Sequence, residues 1–203
     1  MKTLIVKYLP SGAASKTKKL LDLFLQEIKN QNVETVDLLK EEVPTFNEAS
    51  IQAYYKRNYG GQKLDENEAK LLAKNDQLTA QLKSADILVM AYPMHNFGMP
   101  AAVKSWLDAV VMKGETFDYG KKMMEGKKVL TLFTSGGVYS DSVFNFDYPN
   151  WNSIALVTKA NFAFMGFDTS EIINSSLRDE TTEVAKLNEA KTKIQEVVKR
   201  WYA

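Results

Sequence analysis

The sequence predicts a doubly wound α/β domain, a three-layer sandwich with a five-stranded parallel sheet of order 2-1-3-4-5 and helices on both faces. Three observations predict it. Five short apolar runs alternate with segments of helical period along the 203 residues. The strands read as apolar on both faces, most clearly at Asp86 to Tyr92, as strands covered by helices on both sides require. No repeat, low-complexity segment or linker divides the chain, so residues 1–203 read as a single domain.

Thr3 to Leu9 is apolar with β-branched residues and stops at Pro10-Ser11-Gly12, which reads as a buried strand. From Ser15 to Lys29 the period becomes helical, with Leu20, Leu21, Phe24 and Ile28 on one face. Val33 to Leu38 is a second strand. Residues 41–62 read as a long irregular loop rich in aromatics (Phe46, Tyr54, Tyr55, Tyr59) and closing at Gly60-Gly61. Residues 64–83 are helical, with Leu71, Leu72, Leu78 and Leu82 apolar. Asp86 to Tyr92 is the clearest buried strand, ended by Pro93. Pro100 opens a helix reaching about Met112, since proline suits a first helical turn. Val129 to Thr134 is a fourth strand, followed by a helix over about Asn152–Met165, a last strand over Thr169–Ile173 and a closing helix over Thr182–Trp201.

Composition excludes several functions. Twenty-six basic and 25 acidic residues leave a net charge of +1, so no electrostatic footprint for nucleic acid is expected. The absence of cysteine excludes disulfides, thiolate nucleophiles and zinc–thiolate sites. A single histidine, His95, excludes a multi-histidine metal centre, and no metal is expected. The first apolar run is broken by Lys7, and no stretch is long enough to span a bilayer. The expectation is a soluble, cytoplasmic protein without a membrane partner.

In such folds the ligand lies beyond the carboxyl ends of the strands, near the switch point between strands 1 and 3. Three unusual loops leave those ends. Loop one, residues 10–17, is rich in small residues and precedes a helix, whose free amides and dipole attract phosphate. Its helix start carries Lys16, Lys18 and Lys19 and no acid, which is unfavourable unless an anion compensates. Two readings stand: a phosphate site, or a serine-capped helix that happens to be basic. A Walker A loop is excluded, because Pro10 and Ser15 occupy its two glycine positions. Loop two, Pro93 to Pro100, mixes apolar side chains with a glycine and an amide, the set that a flat heteroaromatic ring needs. Taken alone, His95 reads as an ordinary polar loop residue. Loop three, Thr134 to Ser140, holds Gly136-Gly137, which expose backbone N–H groups. A phosphate at loop one and a flat ring between loops two and three describe a mononucleotide, for which FMN fits best.

Ala91 to Pro100, then Lys104-Ser105-Trp106-Leu107-Asp108 and Gly114 to Tyr119, resemble the FMN-dependent NADH azoreductase / NAD(P)H:quinone oxidoreductase family of flavodoxin-like fold. The resemblance covers nearly the whole chain. It implies that Ser15, Lys16 and Thr17 bind the FMN phosphate, with Ser11 substituting for a serine the family usually has where Leu9 stands. It implies that Pro93, Met94, His95, Asn96 and Phe97 hold the isoalloxazine together with Thr134, Ser135, Gly136 and Gly137. Tyr119 and Phe162 would line the substrate side. His95 stands where a tyrosine is common, and the segment from Gly120 to Gly126 is short. The family implies NADH or NADPH as co-substrate and a ping-pong two-electron reduction of quinones, azo compounds or nitroaromatics. No side-chain nucleophile is needed, because the flavin carries the chemistry. A homodimer with its active sites at the interface is also implied. The alternatives are a flavodoxin-type electron carrier, against which the neutral charge and lysine-rich loop argue, and a flavin-binding module without turnover. A hydrolase is disfavoured by the lack of cysteine and of a histidine pair.

Overall fold

The structure is a computed structural model that describes residues 1–29, 31–137, 153–177 and 179–203. Strands β1 (Lys2–Lys7), β2 (Asn32–Asp37), β3 (Ile87–Pro93), β4 (Lys128–Thr134) and β5 (Thr169–Ser175) form one parallel sheet of order β2-β1-β3-β4-β5, the order predicted. Helices α1 (Lys16–Glu27), α2 (Glu48–Tyr54), α3 (Glu66–Ser84), α4 (Ala101–Val110), α5 (Ser153–Met165) and α6 (Glu180–Trp201) complete the chain.

The pleat sorts the strand side chains into two cores. Ile5, Val89, Ala91, Leu130 and Leu132 face α1 and α6, packing on Leu20, Phe24, Ile194 and Trp201. Leu4, Val6, Leu88, Met90, Tyr92 and Phe133 face α3, α4 and α5, packing on Leu78, Trp106 and Phe162. Both faces of the central strands are therefore dry, which is why β1, β3 and β4 are apolar over most of their length, whereas the edge strand β2 (NVETVD) is mostly polar and exposed. Register puts Lys7 beside Ala91 and Pro93 beside Thr134, so β1, β3 and β4 end together at one edge.

The helix starts follow local chemistry. The Ser15 side chain accepts the Lys18 N–H, and Asp65 and Glu68 form a capping box at α3. Asp179 caps α6, which starts at Glu180, two residues before the expected Thr182, and β5 runs two residues past Ile173.

The segment 41–62 differs from the expected irregular loop. It contains α2, which runs into a π turn over Tyr55–Tyr59 and ends at Gly60 and Gly61, where Gly61 has φ +63°. Asn47 and Ser50 cap α2 reciprocally. A third cluster of Ala53, Tyr54, Leu72 and Met112 seats the segment against α3 and the end of α4. Seven residues are too few for a helix to persist alone, so this packing holds it.

Candidate cofactor site

Loop one leaves β1 through a 3₁₀ turn over Gly12–Ala14 and enters α1 at the Ser15 cap. Gly12 takes φ +54°, open to glycine at little cost. The amides of Lys16 and Thr17 lie in the first turn and have no acceptor inside the helix. The Ser11 hydroxyl sits at the exposed rim, and Ser15 is buried. These are the donors that a phosphate needs.

The lysines of this turn do not behave as the sequence implied. Lys16 and Lys19 both pair with Glu183 of α6, and Lys18 pairs with Asp22 at 2.6 Å. The anion that offsets the basic helix start therefore comes from the fold itself. Hydrogen bonds from Lys16, then Lys19, hold the Glu183 carboxyl below the ordinary glutamate range. Lys16 thus faces α6 with its ammonium, and its amide is what it offers the turn.

Thr17 is buried, and its hydroxyl lies 2.7 Å from that of Thr134 at the end of β4. The Thr134 carbonyl accepts the Met94 N–H at 2.8 Å. Loops one, two and three are thus joined through one residue.

Loop two turns tightly. His95 and Gly98 exchange backbone hydrogen bonds of 3.0 and 2.9 Å around Asn96 and Phe97, which take φ +46° and +64°. Positive φ at both central positions is the type I′ arrangement. Asparagine tolerates it, whereas a bulky residue such as phenylalanine rarely does. Strain of this kind persists where side chains must be presented in a fixed direction. Here the turn presents the Asn96 amide and the Phe97 ring outward, both exposed, and the Ser153 hydroxyl donates to the Phe97 carbonyl. His95 meets Tyr8 edge to face at 5.9 Å.

In loop three, Ser135 is buried and its hydroxyl donates to the Gly137 carbonyl at 2.7 Å. A Cβ on Gly136 would meet nothing within 4 Å, so the loop borders open space there. Val138, Tyr139 and Ser140 lie outside the described residues. Exposed amides, the Asn96 amide and the open face at Gly136 fit a phosphate-tailed flat ring.

Of the two residues expected on the substrate side, Tyr119 is 67% exposed, whereas Phe162 is wholly buried in the core beside Phe167. Phe162 has no face open to a substrate in this chain; its helix instead exposes Phe164, which packs on Phe117 at 4.6 Å. Phe117 in turn meets Tyr119 edge to face. The tyrosines of the 41–62 segment, noted in the sequence but given no place in the site, gather here: Tyr54, Tyr55 and Tyr59 meet ring to ring. The Lys113 ammonium lies 5.1 Å from the Tyr59 ring centre. Tyr54 anchors the group by accepting the Lys113 N–H at 2.9 Å, and burial pushes its hydroxyl up. The run of tyrosines between Tyr54 and Tyr59 was the available signal.

Among the described residues no three acidic or histidine side chains gather to hold a metal, and no helix is long and apolar enough to cross a membrane.

A family model described as flavodoxin-like fold matches residues 1–200. An FMN-dependent NADH:quinone oxidoreductase of Dechloromonas aromatica is 30% identical over 181 residues, spanning 85% of this chain and 86% of the relative. The chain belongs to this family of flavodoxin-like proteins. A relative of the same description from Shewanella loihica is 29% identical over 205 residues and covers 97% of this chain and 98% of its own. A solved structure of an FMN-dependent NADH-azoreductase from Bacillus anthracis, in complex with FMN, superposes with a TM-score of 0.83 at 26% identity, over 98% of this chain and 99% of that one.

Proposed function

We propose that this protein is an FMN-dependent NADH:quinone oxidoreductase that also reduces azo compounds. The observation carrying the reading is the meeting of three loops at the ends of β1, β3 and β4, where helix-start amides stand beside a strained turn and an open glycine face. Family membership supplies the reaction class.

When bound, FMN supplies hydride acceptance and two-electron donation. The first-turn amides of α1 and the Ser11 hydroxyl bind the phosphate, helped by the helix dipole. Asn96 and Phe97 orient the ring from loop two. The backbone N–H groups of Gly136 and Gly137 would face the polar edge of the bound ring and would favour negative charge there, as fixed dipoles do at low reorganisation cost. NADH and the acceptor take turns in one pocket, which makes the cycle ping-pong. Tyr119 offers an exposed aromatic face to flat acceptors, so broad acceptance that extends to nitroaromatics follows.

The reading includes a homodimer. Helix α5 is buried through Ile154, Thr158 and Phe162, yet also exposes Leu156, Ala160, Ala163 and Phe164. A helix apolar on its outer side needs a cover, and a second copy supplies it.

Steady-state rates test the cycle. Double-reciprocal plots of NADH against benzoquinone concentration are expected to give parallel lines. Intersecting lines would exclude ping-pong, and a protein that only exchanges electrons without consuming NADH would be a carrier.

A further inference from the structure

We propose that Thr134 is a positioning residue that acts on the cofactor's phosphate through Thr17. The proposal rests on the reading that the loop-one turn holds that phosphate. It reassigns Thr134 from the residues expected to hold the ring.

Thr134 is the last residue of β4 and Thr17 lies in the first turn of α1, 117 residues away in sequence. Both are buried, and their hydroxyls are 2.7 Å apart. Two hydroxyls bring two hydrogens but share one hydrogen bond, so the accepting hydroxyl keeps its own hydrogen. If Thr17 donates to Thr134, its hydrogen turns into the protein. If Thr134 donates, the Thr17 hydrogen is left for an anion at the adjoining amides. A negative charge there selects the second arrangement. A hydroxyl that accepts one bond also donates its own more strongly. The sequence is then Thr134 to Thr17 to phosphate oxygen.

Thr134 is well placed to fix this geometry. It pairs with Pro93 on one side and Ser175 on the other within the sheet, and its carbonyl accepts the Met94 N–H. The ladder fixes its backbone, and the bond to Thr17 fixes the direction of its hydroxyl. The hydroxyl is committed towards α1, so it serves the phosphate turn from behind rather than the ring.

The test compares FMN with riboflavin, the same ring without a phosphate. Each is titrated into the full-length chain freed of bound flavin and followed by quenching of flavin fluorescence. Thr134→Val is expected to lower FMN affinity about 10-fold, the scale of one hydrogen bond to a charged group, and riboflavin affinity by less than about twofold. Thr134→Ser is expected to restore FMN binding. The double variant T17V/T134V leaves neither hydroxyl stranded, so its melting temperature stays near that of the parent while FMN affinity remains low. Equal losses for FMN and riboflavin in T134V would overturn the proposal, as would unchanged FMN affinity or failure of the serine to rescue. A parent chain that binds neither flavin, or binds both alike, would instead remove the underlying phosphate reading, and the proposal with it.

Discussion

Loop one and loop two leave neighbouring strands at the same edge of the sheet, yet they hold their backbones in opposite ways. Loop one places its positive φ on Gly12 and satisfies its helix start with the Ser15 cap and the Glu183 carboxylate. Loop two places positive φ on Asn96 and Phe97 while Gly98, the next residue, has none. The first loop is relaxed and offers backbone donors; the second is strained and offers side chains. An anion can be held by amides alone, whereas a flat ring needs walls in fixed directions. On the proposed function, the strain in loop two is where the molecule would give up stability for flavin binding.

The comparison breaks first at Asn96. Asn96→Ala removes an exposed amide and a residue that tolerates positive φ, so FMN affinity is expected to fall about 10-fold, as for the loss of a ring-edge hydrogen bond with added backbone strain. Retention of flavin through dialysis equal to that of the parent would contradict the role given to loop two. A mirror pair of variants sharpens the contrast. Phe97→Gly is expected to raise unfolding stability by about 1 kcal/mol while weakening flavin binding, and Gly12→Ala to lower stability by about 1 kcal/mol, both measured by urea unfolding without flavin. Shifts of the same sign in the two loops would remove the distinction between them.

The smallest effect concerns Glu183. Its carboxyl is held low by Lys16 and Lys19, so the unfolded chain takes up its proton before the folded one does as pH falls. The stability it contributes is complete above the ordinary glutamate range and drains as pH drops through the folded value. Glu183→Gln is therefore expected to lower the melting temperature at neutral pH, and the gap to the parent is expected to narrow as pH falls below the ordinary glutamate range. A gap independent of pH would show that the two lysines do not depend on this charge.

These particulars also mark what the sequence could convey. The order of the sheet was legible because the central strands β1, β3 and β4 are apolar on both faces and all five strands alternate with helices, a pattern with few solutions. The three loops were legible because their small and polar residues interrupt those strands. The partner of Lys16 was not, since Glu183 lies 167 residues further along and belongs to another helix. Phe162 and Phe164 could not be told apart because α5 is apolar nearly all round, so its pattern fixes no single inward face. Helix α2 escaped because its cap is an Asn–Ser pair and its stability comes from Leu72 and Met112, distant in sequence.

On the proposed function, these loops hold a redox-active flavin that NADH reduces. The visible spectrum of the freshly purified protein tests it most directly. Bands at about 375 and 450 nm that NADH bleaches and benzoquinone restores are expected. A colourless protein that also fails to acquire these bands with added FMN would contradict it.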